Sequence, residues 1–298
     1  MRNSARQPKR APFVRLLLAA ALLLPAALAP AQAAAQKMTA EEVVTRHLDS
    51  LGTAEDRAAV KSRLMQGVVS LVLRSPGAGR GQGASIMFSE GDKSAIAMNF
   101  GSPDYPFDKF GFDGNKLTVS YLRPGARSQL GDFIFNRDVV FKQGLMGGVL
   151  SSAWPLLTPG HKNAKLEYAG SEKLNDRQAH KLRYAPRRGS DLKITLYFDA
   201  ENFRHLRTEY EQTVSNQMGA SAEVASRQLE RARNYRLVED FSDFKQEGRL
   251  TLPHTYKIYL SLDRRIGGNY IAEWEMKFDK FGFNQQLDPQ WFDVSASE

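Results

Sequence analysis

An alternation of apolar and polar side chains decides the fold, and it is clearest in Leu192-Lys193-Ile194-Thr195-Leu196-Tyr197-Phe198. The same period of two recurs in Tyr256-Lys257-Ile258-Tyr259-Leu260. Successive side chains of a strand point to opposite faces of a sheet, so each segment has one apolar and one polar face. Such strands are typical of antiparallel sheets that cover a core with one side.

Similar segments on both sides of this stretch predict about a dozen strands. Turn residues separate them, as in Asp113-Gly114-Asn115, where Asp-Gly tolerates the positive φ of a tight turn. Nearly all connections are too short for a crossover helix, which favours an antiparallel meander. The predicted strands are residues 67–73, 84–90, 94–100, 109–113, 116–122, 165–170, 179–184, 192–198, 205–214, 235–244, 252–262 and 270–278. A polar insertion is predicted at 215–233.

Helical spacing is confined to a few segments. Residues 39–51 have apolar side chains at 3-4 spacing, with Thr39 as N-cap and Glu42 three residues later as a capping-box partner. His47 falls on the apolar face of this helix and is interpreted as a core residue. A second short helix is predicted at 55–64. The apolar segment 139–150 also has helical spacing, but its glycines predict a loose or broken helix.

The first 35 residues have the order of an export signal. Five basic residues and no acidic ones precede the apolar run Leu16–Leu28, and small residues follow from Ala29 to Ala35. Cleavage after Ala33 and cleavage after Ala35 both fit, and an uncleaved membrane anchor is the alternative. We therefore expect a signal peptide at 1–35 and a single domain at 36–298, free of a membrane anchor after cleavage.

The charge balance does not indicate a nucleic-acid partner. The chain has 41 basic and 33 acidic side chains, and five of the basic ones lie in the export signal. The remaining excess of positive charge is small, so the high isoelectric point is mostly a property of the signal.

The residues needed for common catalytic and cofactor sites are sparse. The chain has no cysteine, which excludes disulfides, thiol nucleophiles and cysteine-ligated metals. No two of the five histidines have metal-ligand spacing. Strand carboxylates occur at Glu239, Asp240, Asp243, Glu273 and Glu275. We interpret them as a solvated face; hydrolysis by Asp243 or Glu273 is the alternative. The sequence thus predicts a protein that is not an enzyme and has no cofactor.

Large apolar side chains are concentrated in two neighbouring strands, and Leu145 and Met146 lie in the segment that faces them in this interpretation. A curved sheet crossed by a helix leaves space for an apolar cavity between its layers. An ordinary closed core would use the same residues, so both interpretations stay open. The strand residues concerned are Ile86, Met87, Phe88, Ile96, Met98 and Phe100.

Short motifs along residues 39–294 resemble the periplasmic lipoprotein-carrier (LolA/LolB-like) superfamily, in its outer membrane lipoprotein-sorting branch. The resemblance begins with the opening helix and its Leu51-Gly52 end. It continues with a Phe-Asp-Gly segment that leads to Tyr121 and Pro124. The matching stretches are Glu41-Glu42-Val43-Val44, Phe112-Asp113-Gly114-Asn115-Lys116-Leu117, Tyr168-Ala169-Gly170, Ala179-His180-Lys181-Leu182, Tyr197-Phe198-Asp199, Phe241-Ser242-Asp243-Phe244, Leu252-Pro253-His254 and Phe292-Asp293-Val294.

The resemblance implies a mainly β (α+β) fold: a large, strongly curved antiparallel sheet, a half-open barrel of about 11–12 strands, with helices packed in its concave side. It implies a non-catalytic carrier that holds acyl chains of lipids or lipoproteins and opens a lid. Inner-membrane donor and outer-membrane acceptor proteins would be its partners. Because it lacks cysteine, this chain is not the lipid-anchored acceptor of such a system.

On this basis we expect an apolar cavity with a polar rim at Arg123 and Arg127. A structural or regulatory protein-binding domain of the cell envelope, with the same fold and no lipid cargo, is the alternative. The residues expected to line the cavity are Phe88, Ile96, Met98, Phe100, Tyr121, Leu145, Met146, Val149 and Leu150.

Overall fold

A computed structural model describes residues 38–187, 189–213, 232–264 and 268–295. The predicted signal segment and most of the predicted insertion at 215–233 lie outside these residues. The described residues form twelve antiparallel strands in one sheet. The strands are Ser62–Ser75 (β1), Gly79–Glu90 (β2), Lys93–Asn99 (β3), Phe107–Phe112 (β4), Leu117–Val119 (β5), Lys165–Leu174 (β6), Arg177–Ala185 (β7), Lys193–Asp199 (β8), His205–Thr213 (β9), Ala232–Glu247 (β10), Leu250–Arg264 (β11) and Tyr270–Phe283 (β12).

The sheet is a meander in two halves. Its order is β5-β4-β3-β2-β1-β12-β11-β10-β9-β8-β7-β6, so β1 and β12 join the halves at the centre. The sheet is curved and does not close, and β5 and β6 are its edges. The predicted class, a mainly β half-open barrel with antiparallel strands, is confirmed. The chain between the two edge strands, residues 120–164, carries most of the helical segments.

The helices are short. They are Ala40–Leu51 (α1), Ala54–Ala59 (α2), Gln129–Asn136 (α3) and Val139–Lys142 (α4), followed by 3-10 turns at Gly148–Leu150, Pro155–Leu157, Pro159–Asn163 and Pro289–Phe292. Thr39 caps α1 as predicted, because its hydroxyl accepts the Glu42 backbone N–H at 3.1 Å. The predicted helix at 55–64 is wrong beyond Ala59. From Ser62 onward the backbone pairs with β2, and this tertiary pairing overrides local helix propensity.

Glycines allow strands to approach each other where the central strands bend. A Cβ atom on Gly67 would lie 1.9 Å from the Lys277 carbonyl oxygen, and the β1–β12 register shifts at this position. A Cβ atom on Gly83 would lie 1.7 Å from the Asn99 carbonyl oxygen. Bulges and strand glycines of this kind produce curvature in a sheet.

The two faces of the sheet carry separate apolar clusters. The inner face carries the main core. Every strand except β6 contributes at least one buried side chain to this core, and the apolar face of α1 joins it. The outer face carries a smaller cluster of Phe88, Ala95, Leu287 and Phe292. Residues 284–295, here named the outer cover, lie across the outer face of β3 and β4.

Candidate functional site

The segment between α4 and Trp154 packs against the inner face without forming a regular helix. Residues 144–151 are here named the plug. Gly144, Gly147 and Gly148 all have positive φ, of 70°, 79° and 48°. A Cβ atom on Gly147 would lie 2.0 Å from the Met87 Cε atom. These positions favour glycine because of both backbone conformation and close packing. The loose or broken helix predicted at 139–150 is therefore observed as the short helix α4 followed by turns.

The apolar side chains of the plug are fully buried. Leu145, Met146, Val149 and Leu150 are each at most 1% exposed and belong to the main core. Burying four such side chains stabilises the seated plug by about 6–12 kcal/mol, at roughly 1.5–3 kcal/mol each. The plug thus fills the hollow of the sheet with its own apolar groups.

A buried arginine binds the plug backbone. Arg63 on β1 is 2% exposed and donates from Nη1 to the Val149 carbonyl oxygen and, at 3.4 Å, to that of Ser151. Its Nε atom has no hydrogen-bond partner, and no carboxylate pairs with it in the described part of the chain. Burial lowers the pKa of Arg63 to about 10, which leaves it charged at neutral pH. The plug therefore covers an unneutralised cation.

A buried carboxyl group binds the same segment. Glu239 on β10 is fully buried, and its Oε1 accepts the Gly147 backbone N–H at 2.7 Å. Tyr256 donates its hydroxyl to the same oxygen at 2.5 Å, and Tyr210 donates to Oε2 at 2.6 Å. Burial raises the pKa of Glu239 to about 7, while these three hydrogen bonds act in the opposite direction. Two ionisable side chains of the sheet thus bind backbone groups two residues apart.

Aromatic and imidazole rings surround the C-terminal side of the plug. Trp154 stacks on the His205 ring at 4.7 Å and donates from Nε1 to His47 Nε2 at 3.4 Å. His47 Nδ1 donates to the Phe203 carbonyl oxygen at 3.0 Å, so both of its nitrogens are used. Burial lowers the pKa of His47 to about 4, which keeps the ring neutral at neutral pH. The prediction that His47 is a core residue is confirmed.

Most of the predicted cavity residues meet in one cluster. Ile96, Met98 and Phe100 are buried in the main core, as are the four plug residues. Phe88 lies on the opposite face, where its ring meets that of Phe292 at 5.2 Å. Tyr121 is 49% exposed and lies outside the core. The structure therefore brings together seven of the nine residues and places the other two elsewhere.

The two predicted rim arginines differ. Arg123 is exposed. Arg127 lies between the rings of Tyr121 and Phe135, at 4.1 and 3.8 Å from their centroids, and donates to the Tyr121 hydroxyl at 2.7 Å. The Arg127 guanidinium thus makes cation–π contacts with two half-exposed aromatic rings.

Sequence reasoning missed Arg63 and Glu239. The interpretation of Glu239 as part of a solvated face was wrong, because it lies in phase with the inward-facing Leu237 and Phe241. Arg63 is likewise in phase with inward-facing Met65. The signal that could have identified both residues is a charged side chain at a position that the two-residue alternation of the strand assigns to the apolar face.

Two of the cavities in the described part of the chain lie outside the plug region. One of about 490 Å³ is lined mainly by polar and charged groups, including Arg177, Arg204 and Asp243. The other, of about 520 Å³, lies beside Val68 and Lys277. Neither contains a predicted cavity residue. Within the described ranges, no three or more metal-binding side chains form a group. Of the helices in the described residues, none combines the length and apolar character needed to cross a bilayer.

Several solved structures are similar to this chain. A DUF1329 family protein from Desulfovibrio piger is 12% identical, with a TM-score of 0.47, over 87% of this chain and 99% of that one. A LolA superfamily protein from Nitrosomonas europaea is 13% identical, with a TM-score of 0.44, over 85% and 97%. An outer membrane lipoprotein-sorting protein domain from Vibrio parahaemolyticus is 13% identical, with a TM-score of 0.41, over 84% and 97%. No family model and no curated protein matches the sequence.

Proposed function

We propose that the domain is a non-catalytic periplasmic carrier, in which acyl chains of a lipid or lipoprotein replace the plug on the inner face of the sheet. The observation that supports this proposal is the plug itself. It is an apolar segment of turns, including one 3-10 turn, that is fully buried and whose backbone is bound by the side chains of Arg63 and Glu239. Such a segment can leave without breaking any strand pairing.

The energies of the two occupants are of similar size. The four apolar side chains of the plug contribute about 6–12 kcal/mol when buried. An acyl chain contributes about 0.8 kcal/mol per buried methylene, so roughly 8–15 methylenes offset the loss of the plug contacts. Ordinary membrane acyl chains have this length. Exchange between plug and cargo is therefore close to balanced, as loading and release both require.

The carrier would work in the periplasm, to which the export signal predicted at 1–35 would direct it. Delivery would run from an inner-membrane donor to an outer-membrane acceptor. The inner-face residues Ile96, Met98 and Phe100, buried beneath the closed core, would contact the chains after the plug has moved.

Titration with an environment-sensitive fluorescent fatty acid tests the proposal. The variant Leu150→Ala weakens the seated plug, because a Leu→Ala change in a core costs about 2–5 kcal/mol. We therefore expect the probe to bind at least about 10-fold more tightly to this variant, since 1.4 kcal/mol corresponds to a tenfold change in Kd.

The matched control is Phe292→Ala, which removes a buried side chain from the outer cover and should leave the probe Kd unchanged. Absence of probe binding to both the native protein and Leu150→Ala, together with no lipid in native mass spectra of protein purified from the periplasm, would contradict the carrier. A stoichiometric protein partner in place of lipid would instead support an envelope protein-binding domain.

A further inference from the structure

The seated plug depends on one buried carboxyl group. Glu239 receives three donors from three different elements: the Gly147 N–H of the plug, the Tyr256 hydroxyl of β11 and the Tyr210 hydroxyl of β9. All three are neutral groups. Burial raises the pKa values of both tyrosines well above their usual range, so they stay protonated donors.

No cation balances this carboxyl group within the described residues. The charged neighbour that acts on it is Asp240, the next residue, whose like charge adds to the effect of burial. Asp240 itself is paired with Arg207 at 2.6 and 3.0 Å. On the far side, Tyr184 of β7 acts on Tyr210. An ionised Glu239 is therefore buried without a counterion, a state that costs far more than burying the neutral acid.

We propose that Glu239, with Tyr210 and Tyr256, is a proton-controlled latch that holds the plug seated while the carboxyl group is neutral and favours opening once it is ionised. The neutral acid can accept the Gly147 N–H through its carbonyl oxygen and donate its own proton to a tyrosine oxygen. The carboxylate gains water when the plug leaves. This inference rests on the proposed function only in that the plug covers the cargo site.

The direction of the effect follows from the two pKa values. In the closed form burial raises the pKa of Glu239 to about 7, whereas full hydration after opening would return it towards the ordinary value of 4.5. The closed form thus binds the proton more tightly, and opening becomes more favourable as the pH rises above 4.5. With full hydration on opening, the opening constant rises by at most about 30-fold between about pH 5.5 and about pH 8.

The titration of Glu239 can be distinguished from that of the other buried ionisable groups. Burial lowers the pKa of His47 to about 4 and that of His205 well below its usual range, so both rings stay neutral over this interval. Asp108 is the competitor, because burial raises its pKa to about 7 as well. Its carboxyl group accepts the hydroxyls of Tyr105 and Ser128, the N-cap of α3, and makes no hydrogen bond to the described plug.

Thiol labelling measures opening directly, because the chain has no cysteine of its own. A single Leu150→Cys substitution places a thiol in the plug, and Val68→Cys, at a position 62% exposed, gives the reference rate at each pH. The ratio of the two labelling rates reports opening. We expect this ratio to rise by up to about 30-fold from about pH 5.5 to about pH 8.

The rise should vanish when Glu239→Gln is added to Leu150→Cys, and it should persist when Asp108→Asn is added instead. A flat ratio in the parent, or an equal rise with Glu239→Gln, would overturn the latch. No lipid is present in this assay, so its result is independent of whether the cargo titration succeeds.

A second variant, which removes only one hydroxyl group, tests the latch should Glu239→Gln fail to fold. Tyr256→Phe removes one donor that favours the charged form, so the pKa of Glu239 should increase further and the rise in labelling should move to higher pH. An unmoved midpoint in this variant would also count against the latch.

Discussion

Two segments cover opposite faces of the sheet and are bound in different ways. The plug lies on the inner face, where its backbone is bound by the ionisable side chains of Arg63 and Glu239. In the outer cover, two backbone N–H groups are bound by neutral oxygens: the Asn284 N–H donates to the Ser62 carbonyl oxygen, and the Val294 N–H donates to the Thr118 hydroxyl at 3.0 Å. The Lys93 ammonium lies 5.3 Å from the centroid of the Phe292 ring. Phe292 then fills the outer cluster.

The difference indicates that the outer cover stays packed at every pH near neutrality, whereas the packing of the plug depends on conditions. Neutral hydrogen bonds and an aromatic contact have the same strength at any pH near neutrality, so the outer cover should open only with the whole sheet. Buried ionisable groups make the attachment of the plug depend on protonation and on what can replace the plug.

The largest effect is expected for Phe292→Ala. Truncating a fully buried phenylalanine lowers the free energy of unfolding by about 3–5 kcal/mol. Urea denaturation should show this loss equally at low and high pH. The control is Trp291→Ala at the neighbouring position. Because Trp291 is 50% exposed, this change should lower the free energy of unfolding much less. A strongly pH-dependent loss in Phe292→Ala would break the contrast between the two segments.

A smaller effect is expected for Gly147→Ala. Left-handed backbone costs a non-glycine residue about 1–2 kcal/mol. At Gly147 the new Cβ atom would also overlap the Met87 methyl group. Gly125 is the matched control, because its φ of 77° is nearly the same and no heavy atom lies within 4 Å of its Cβ position. Plug labelling should increase in Gly147→Ala and stay unchanged in Gly125→Ala; equal behaviour would mean that packing against Met87 does not hold the plug.

The smallest effect is expected for Thr118→Val, which removes the hydroxyl that accepts the Val294 N–H at 3.0 Å and donates to the Gly111 carbonyl oxygen at the longer distance of 3.3 Å. A neutral hydrogen bond contributes about 1 kcal/mol and a long one less, and this loss should be the same on both sides of neutral pH. Thermal denaturation at two pH values measures it. The Glu239→Gln variant provides the opposite case, because the difference between its stability and that of the native protein should grow as the pH rises.

Local patterns predicted the strands and α1 because each depends on neighbouring residues alone. The join between β1 and β12 could not be predicted in this way. The register of β2 and β3 determines which face of the sheet carries Phe88. Met87 pairs with Ile96 on the inner face, so the next pair, Phe88 and Ala95, lies on the outer face. Arg63 and Glu239 were missed because burial of a charge depends on the partners that the fold supplies, here the plug backbone and two tyrosines.

The central pairing of β1 with β12 has a consequence for how the protein is made. Arg63 pairs with Phe283, so the middle of the sheet joins strands that are more than 200 residues apart in the chain. A chain that emerges amino-terminus first exposes one free edge of β1 until nearly all of the domain has been delivered. We therefore expect slow acquisition of structure and a need for protection against aggregation during synthesis, until the last strand pairs with β1 and completes the sheet.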